Sequence, residues 1–284
     1  MASLVPERTG PLERIFYATH GVILDGKALK GVQSVSMTSN YNLDPVLQLG
    51  QLSHIEVVPT TPEVEVTISR AIVNGPAIEL EINDTNLLEL EAKLMKGSDI
   101  IIGVIGGPQG FTVKNAFLSS YTANFAVDGL FTEEISYVGE TLESGGAFQK
   151  LNDTNLHLAR RQDFRGLENA TSASVSVNFN RESIYRLGQY KPFIRTVTFP
   201  VECTLQYGLL LPEGGNIRTE DPLDCATVNI PEISKTMSAC GAQWTINRAR
   251  LSSVGWSGGD TGGGNVEIQY TYSSWNNLSI KKIG

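Results

Sequence analysis

The sequence predicts a mainly β protein built from two tandem copies of a β-sandwich or β-barrel domain, each with a short flanking helix. The first observation behind this prediction is an internal repeat. Residues 34–42 read SVSMTSNYN and residues 172–180 read SASVSVNFN, a shift of 138 positions. A second block, residues 112–137, recurs 133 positions later without a gap. Two repeated blocks in the same order indicate a duplicated domain.

The second observation is the alternation of apolar and polar residues that is typical of strands with two different faces. It is clearest at residues 32–40, where Val35 and Met37 alternate with Ser, Thr and Asn. Further strands are expected at residues 55–72 with a break near Pro59–Pro62, at 111–125 and 131–138, and in the second copy at 172–180, 194–210, 244–256 and 265–272.

One helix is expected in each copy. In the first copy, residues 87–94 carry leucines at helical spacing, Asp84 or Thr85 can cap the start, and Gly97 can end the helix. The counterpart in the second copy is weaker and is expected at residues 231–239, with Pro231 in the first turn.

The length of 284 residues suits two domains of about 130–150 residues, each able to bury its own core. We expect the first domain at residues 1–145, a linker at 146–164 and the second domain at 165–284. The stretch 139–158 has the composition of a linker with room for a short strand of its own.

The charge is unevenly distributed between the copies. The net charge is −8, with −9 in residues 1–150 and +1 in residues 151–284. Tight nucleic-acid binding needs clustered Lys and Arg, so this chain is not expected to bind nucleic acid tightly. No apolar run approaches the ~20 residues of a membrane span, and the N-terminus lacks signal-peptide features, so the cytoplasm of the producing cell is the expected compartment.

Chemistry-bearing motifs are missing from the sequence. His20, His54 and His157 have neither metal-ligand nor catalytic spacing, and the glycine-rich run 103–110 lacks the spacing of a phosphate-binding loop. The cysteines, Cys203, Cys225 and Cys240, match no metal or disulfide pattern and are expected to be reduced and buried. We therefore expect no catalytic residue, no metal and no cofactor.

The repeated segments resemble phage tail tube proteins. The resemblance rests on GVQSVSMTSNYN at residues 31–42 with LGQ at 49–51, on SVSVNFNRESIYRLGQ at 174–189, on FPVECTLQ at 199–206, and on the closing LSS and EIxY words of both copies. It implies a structural virion protein whose β-domains form stacked rings around a channel through which DNA leaves the capsid. Two domains per chain favour a homotrimer with pseudo-sixfold symmetry.

The resemblance also implies partners. They are further copies of the chain, the tape measure, terminator and baseplate proteins, the sheath where the tail has one, and duplex DNA that passes without specific binding. The implied location is the phage tail, assembled in the host cytoplasm, with no membrane insertion by this chain.

Assembly residues are assigned by position to the loops 40–51 and 178–189, which meet neighbouring subunits or rings in the family. The alternative for Gly50 and Gly188 is simple turn geometry, and for Tyr41 and Phe179 it is core packing. We expect charged replacements of Leu187 and Gln189 to block polymerisation and leave the fold intact. The assigned residues are Asn40, Tyr41, Asn42, Leu49, Gly50, Gln51, Asn178, Phe179, Asn180, Leu187, Gly188 and Gln189.

Three alternatives stay open. The nearest is a tail terminator, tube initiator or baseplate ring protein of the same fold, which would form a ring without stacking. The next is a tandem β-sandwich module that binds carbohydrate or protein, which should display exposed aromatic residues, whereas Trp244, Trp256 and Trp275 all fall late in one copy. An enzyme is the weakest alternative.

Overall fold

The computed structural model of the chain describes residues 20–40, 43–47, 49, 54–59, 63–105, 110–148, 156–187, 191–210, 230–257 and 267–283. The strands before residue 150 are β1 His20–Leu24, β2 Lys27–Ala28, β3 Val32–Asn40, β4 Leu43–Leu47, β5 His54–Pro59, β6 Glu63–Ala71, β7 Leu80–Ile82, β8 Ser98–Ile105, β9 Gly110–Ala126, β10 Thr132–Gly139, β11 Thr141–Ser144 and β12 Ala147–Phe148. Those after it are β13 Ala170–Asn178, β14 Arg181–Ile184, β15 Ile194–Val197, β16 Glu202–Leu210, β17 Ile233–Ala239, β18 Ala242–Ser257, β19 Glu267–Trp275 and β20 Leu278–Lys282.

The mainly β prediction is confirmed, and so is the first helix. The helix α1 spans Leu87–Leu94 and begins after Asn86, which makes no side-chain cap bond. The predicted helix at residues 231–239 is wrong, because most of it forms strand β17. Its sequence, ISKTMSA, buries Met237 and Ala239 two positions apart, and this period of two suits a strand better than a helix. A single 3-10 turn, Arg161–Asp163, completes the helical structure of the described ranges.

Eight antiparallel strands form one large sheet in the order β3-β6-β10-β9-β13-β16-β19-β18. We call β3, β6, β10 and β9 its first half, and β13, β16, β19 and β18 its second half. The four strands of each half follow one another in the same order along the sheet, and β9 joins β13 in the middle. The large sheet therefore runs without a break from one half into the other.

Each half also contributes a smaller sheet, because its longest strand crosses from one sheet to the other. The N-terminal part of β9 pairs with β8 and β11, and the N-terminal part of β18 pairs with β17 and β20. At the crossing points Asn115 and Arg248 have positive φ angles of 49° and 51°. These two residues lie 133 positions apart, the shift of the sequence repeat.

Three pairing irregularities recur at matching positions in both halves. Gln33 and Thr171 are extra residues in β3 and β13, and Ser119 and Ser252 are extra residues in β9 and β18. The third is the shift in the hairpins β8–β9 and β17–β18 at the positive-φ residues. Bulges of this kind bend a strand and set its register, so the two halves curve in the same places.

The core is one continuous cluster of buried apolar side chains that contains residues from both halves. At its centre the Phe125 ring packs edge-on against Trp244, with 5.0 Å between ring centroids, and against Phe131 at 5.2 Å. The short strand β7 also pairs with β20, so the chain before residue 150 completes a smaller sheet of the second half. None of the helices in the described ranges is long and apolar enough to cross a membrane.

Candidate functional site

The large sheet has one apolar face and one polar face. In β13, for example, Ala173, Val175 and Val177 are buried, and the serines between them are partly exposed. Residues directly opposite one another in paired strands point to the same side of a sheet. The strand registers therefore extend this alternation across all eight strands. The apolar face, or core face, packs on the buried cluster.

The other side, which we call the polar face, carries mainly Ser, Thr, Asn, Gln and Glu. Its side chains are exposed or half-buried along most of the sheet. They include Ser34, Ser36, Thr38, Asn40, Glu65, Thr67, Ser69, Glu134, Ser136, Thr122, Asn124, Ser174, Ser176, Asn178, Glu202, Thr204, Gln206, Gln269, Thr271 and Ser253. A surface of short, uncharged hydroxyl and amide groups can contact a passing molecule through many weak hydrogen bonds.

The charge on the polar face is almost entirely negative. Glu65, Glu134 and Glu202 are exposed acids on this side of the sheet. Among the residues described for the eight strands, the basic side chain in register with this face is Arg250. It lies opposite Ser273 in the middle of β18, where the pairing with β19 begins, and bonds Glu232 at 2.9 Å. The polar face therefore offers phosphate groups no described cluster of free cations.

Beside the large sheet, each half carries a small hairpin at the matching place in the chain. The first is β4–β5 and the second is β14–β15. Leu49 lies in the turn of the first hairpin and Leu187 in that of the second, and both side chains are completely exposed, at 102% and 105% of their reference areas. A fully exposed leucine at the tip of a hairpin is well placed for contact with another molecule.

The predicted assembly residues occupy different environments. Asn40 and Asn178 are exposed at the ends of their strands, and the Asn180 carbonyl accepts a hydrogen bond from the Thr198 amide at 2.8 Å. Phe179 is buried, so its side chain belongs to the core of this chain instead of an exposed contact surface. Tyr41, Asn42, Gly50, Gln51, Gly188 and Gln189 lie outside the described residues.

Sequence reasoning missed Arg181, which anchors the second hairpin to the first half. Its guanidinium donates hydrogen bonds to the carbonyls of Leu118 at 2.7 Å and Leu94 at 3.1 Å, and lies 5.3 Å from the centre of the Phe117 ring. Burial, together with the smaller effect of the nearby Arg195 charge, lowers the pKa of Arg181 to about 10. The matching residue of the first hairpin is Leu43, which is exposed.

Residues 17–141 match the family model described as the Phi812 tail tube protein. The resemblance to phage tail tube proteins is thereby confirmed over this stretch, which contains the complete first half of the large sheet. No curated protein matches the chain.

Proposed function

We propose that this chain, whose residues 17–141 match the tail tube family, closes into a ring of three copies with pseudo-sixfold symmetry. In this proposal rings stack into the tail tube, and the polar face of the large sheet lines the channel through which DNA is delivered to the host. The family is structural, and we propose no catalytic role. The observation that carries the proposal is the large sheet itself, with its two matching halves, its apolar side and its polar side.

The pseudo-sixfold symmetry is supported by the match between the halves. Their strand order agrees, and their bulges fall at positions that correspond under the sequence repeat. Chance similarity between two β-domains would not reproduce the position of each extra residue. We infer that the halves are copies of one tube domain, with domain boundaries near 1–145 and 165–284, so that three chains supply six domains.

Ring closure is supported by the edges of the sheet. In the described part of the chain, β3 pairs on one side only, with β6, and the C-terminal part of β18 pairs on one side only, with β19. Open edges invite pairing with another chain, and closure of the sheet into a barrel removes them. Eight strands from each of three chains make 24, and at ~4.8 Å spacing and ~45° tilt the barrel is about 50 Å across at the backbone.

A channel for DNA is supported by the charge of the polar face. A bore of this size admits a duplex even after side chains occupy part of it. Three chains at −8 each give a ring of −24, and the acids on the polar face would repel phosphates. A conduit must let DNA slide past without holding it, and a Ser/Thr/Asn surface with scattered glutamates meets that need.

The proposed partners follow from this role. They are other copies of the chain in the ring and in the stack, the tape measure, terminator and baseplate proteins, and the sheath where the tail has one. The proposed location is the tail of the virion, after assembly in the host cytoplasm.

The direct test is negative-stain electron microscopy of the purified protein before and after long incubation at high concentration. We expect rings or stacked tubes with a central channel and with three- or sixfold end views. Single rings that never stack would instead favour a terminator, initiator or baseplate role. Monomers at every concentration, even when tube-initiating proteins of the same tail are added, would contradict the proposal.

The lining of the channel is tested by reversing its charge. The double variant Glu65→Lys/Glu134→Lys places two lysines on the polar face of each chain, and we expect assembled tubes of this variant to retain duplex DNA at low salt. Glu89→Lys on helix α1 is the matched control, since Glu89 is exposed away from the large sheet. Equal DNA retention by the variant and the control would contradict a polar lining of the channel.

A further inference from the structure

The junction between the two halves shows how the edge strand of one half pairs with the edge strand of the other. In this junction β9 and β13 are antiparallel, and seven residue pairs run from Ala126 opposite Ser172 to Ser120 opposite Asn178. The Phe179 amide continues the pairing by donating to the Ser119 carbonyl at 2.8 Å. The last strand of one half thus meets the first strand of the next.

The two edge strands of the large sheet, β3 and β18, correspond by the sequence repeat to β13 and β9, the two strands that meet at the internal junction. β3 corresponds to β13, since residues 34–42 and 172–180 are the repeated block. The C-terminal part of β18 corresponds to β9, since Leu118, Ser119 and Ser120 recur as Leu251, Ser252 and Ser253. Each edge therefore resembles one side of a junction that already exists inside the chain.

We infer that β18 of one copy pairs antiparallel with β3 of the next copy in the register of the internal junction. Transferring that register by the repeat shifts places Ser253 opposite Asn40, Val254 opposite Ser39, Gly255 opposite Thr38 and Trp256 opposite Met37. This inference rests on the proposed ring. It adds the strands that close the ring and the residues that face one another.

The exposure of the edge side chains agrees with this register. Val175 and Ala123 face each other on the core side of the internal junction, and both are buried. Their counterparts are Met37 and Trp256. Met37 is partly exposed and Trp256 is 51% exposed. Pairing of the two edges would bring these apolar side chains together and remove them from water.

The polar face also continues across the inferred contact. Thr38 and Asn40 would lie opposite Gly255 and Ser253, all on the side of the sheet that carries Ser, Thr and Asn. A shift of one residue would instead place Met37 opposite Gly255, so that the core side of one chain would continue as the polar side of the next. Because a strand register with one apolar side resists such a shift, the inferred register is specific.

Cysteine cross-linking tests the register. Thr38→Cys/Gly255→Cys and Ser39→Cys/Val254→Cys are two in-register pairs. In an antiparallel ladder, hydrogen-bonded and non-hydrogen-bonded pairs alternate and differ in Cα separation, so the two variants sample both geometries. A Cβ added at Gly255 meets its nearest neighbour, Gln269, at 3.8 Å, an ordinary contact. Thr38→Cys/Ser253→Cys, shifted by two residues, is the matched control.

In assembled rings under mild oxidation, we expect at least one in-register pair to give about tenfold more covalently linked chains than the shifted control and the wild-type protein, because disulfides need Cα atoms about 4.4–6.8 Å apart. Rings in which the shifted pair links best, or in which no pair links, would overturn the register and leave the proposed ring intact. The absence of rings under all conditions would count against the proposed function itself.

Tryptophan fluorescence gives a second readout that does not depend on the cysteine variants. The difference between wild-type and Trp256→Phe spectra isolates Trp256, and we expect its emission to shift to shorter wavelength when rings form. An emission maximum that is the same in monomers and rings would overturn the inferred burial of Trp256 against Met37.

Discussion

The two halves of the large sheet share their strand order and bulges, but the side chains behind them differ. In the first half Arg70 lies opposite Glu133, and both are buried. In the second half the positions that match by strand pairing hold Leu209 and Ile268. For Glu133 this match lies two residues beyond the 133-residue shift of the sequence repeat. One half therefore buries an ion pair where the other has the buried Ile268 and the partly buried Leu209, and the pairing of the two strands is the same.

The ion pair belongs to a network that reaches from the first half to the second. Arg70 Nε lies 3.1 Å from Glu133 Oε2, and the Tyr121 hydroxyl donates to Glu133 Oε1 at 2.6 Å. The Trp244 indole in turn donates to the Tyr121 oxygen at 2.8 Å. Burial raises the pKa of Glu133, and the Arg70 charge and the Tyr121 hydrogen bond counteract this rise. We infer that the difference between the halves is used to join them.

A second difference lies two residues along the same strands, on the same face of the sheet. Ile68 faces Ile135 in the first half, whereas Tyr207 faces Tyr270 in the second, with 5.4 Å between the ring centroids. Tyr272 stacks on Tyr207 at 5.8 Å. The lesson is that alternation and bulges set the strand geometry, and that the interior accepts different side chains as long as volume is filled and polar groups are bonded.

The largest expected effect is on assembly. It tests whether the exposed hairpins of the two halves have the same role. Leu187→Asp should abolish tubes while the free energy of unfolding changes by no more than about 0.5 kcal/mol, because an exposed side chain has few contacts to lose. Leu49→Asp should do the same if the two hairpins are equivalent. Electron microscopy and thermal melting measure the two properties.

Leu88→Asp on helix α1 is the matched control, since Leu88 is also exposed. Tubes of normal length from Leu187→Asp would remove the second hairpin from the assembly surface. A defect in only one of the two hairpin variants would show that only that hairpin takes part in assembly.

The next effect is on stability and comes from removing the buried ion pair that the first half has and the second half lacks. Glu133→Ala should lower the free energy of unfolding by about 3–5 kcal/mol, because it leaves the Arg70 charge buried without its partner. Chemical denaturation measures this, with Glu134→Ala on the exposed polar face as the neighbouring control, expected within about 0.5 kcal/mol.

Arg70→Leu/Glu133→Ile copies the pair found in the second half and should recover most of the loss, since apolar pairs often replace buried ion pairs at little cost. A double variant that is less stable than Glu133→Ala would contradict the equivalence of the two positions.

A smaller effect is expected from exchanging the facing side chains of the halves. Tyr207→Ile should cost about 1–3 kcal/mol because it opens a cavity beside Tyr270 and Tyr272, and Ile68→Tyr should cost a similar amount because it overpacks a fully buried site. Denaturation curves test both changes, with the exposed Tyr185→Ile as control. If either exchange is neutral, the two interiors are less specialised than the stacking suggests.

The sequence was sufficient for the eight strands of the large sheet and for helix α1, because their periods of two and 3.6 are local properties. It did not indicate the short strands β1, β7 and β20. It failed at β17, where Pro231 favoured a helix start and the alternation is short. The positive-φ residues Asn115 and Arg248 could not be recognised, since neither is glycine and the crossing between sheets fixes their conformation. Pairing of β9 with β13 and the anchoring role of Arg181 depend on contacts between distant segments, which periodicity does not report.

The smallest expected effect concerns a position where one half buries a cysteine and the other a valine. Cys203 is fully buried in β16, and its counterpart in β6 is the buried Val64. Burial raises the pKa of the Cys203 thiol to about 12, so it should stay protonated and unreactive toward thiol reagents at neutral pH. Its Sγ lies 4.0 Å from the Val201 carbonyl oxygen. Cys203→Val adds the volume of about one methyl group to the core, so we expect it to lower the free energy of unfolding by about 1 kcal/mol, the low end of the cost of overpacking. Val64→Cys is the reciprocal exchange, which removes the same volume and should also cost about 1 kcal/mol. A loss above about 2 kcal/mol in Cys203→Val would show that the core behind the second half has no room for valine, and it would contradict the interchangeability of the two positions.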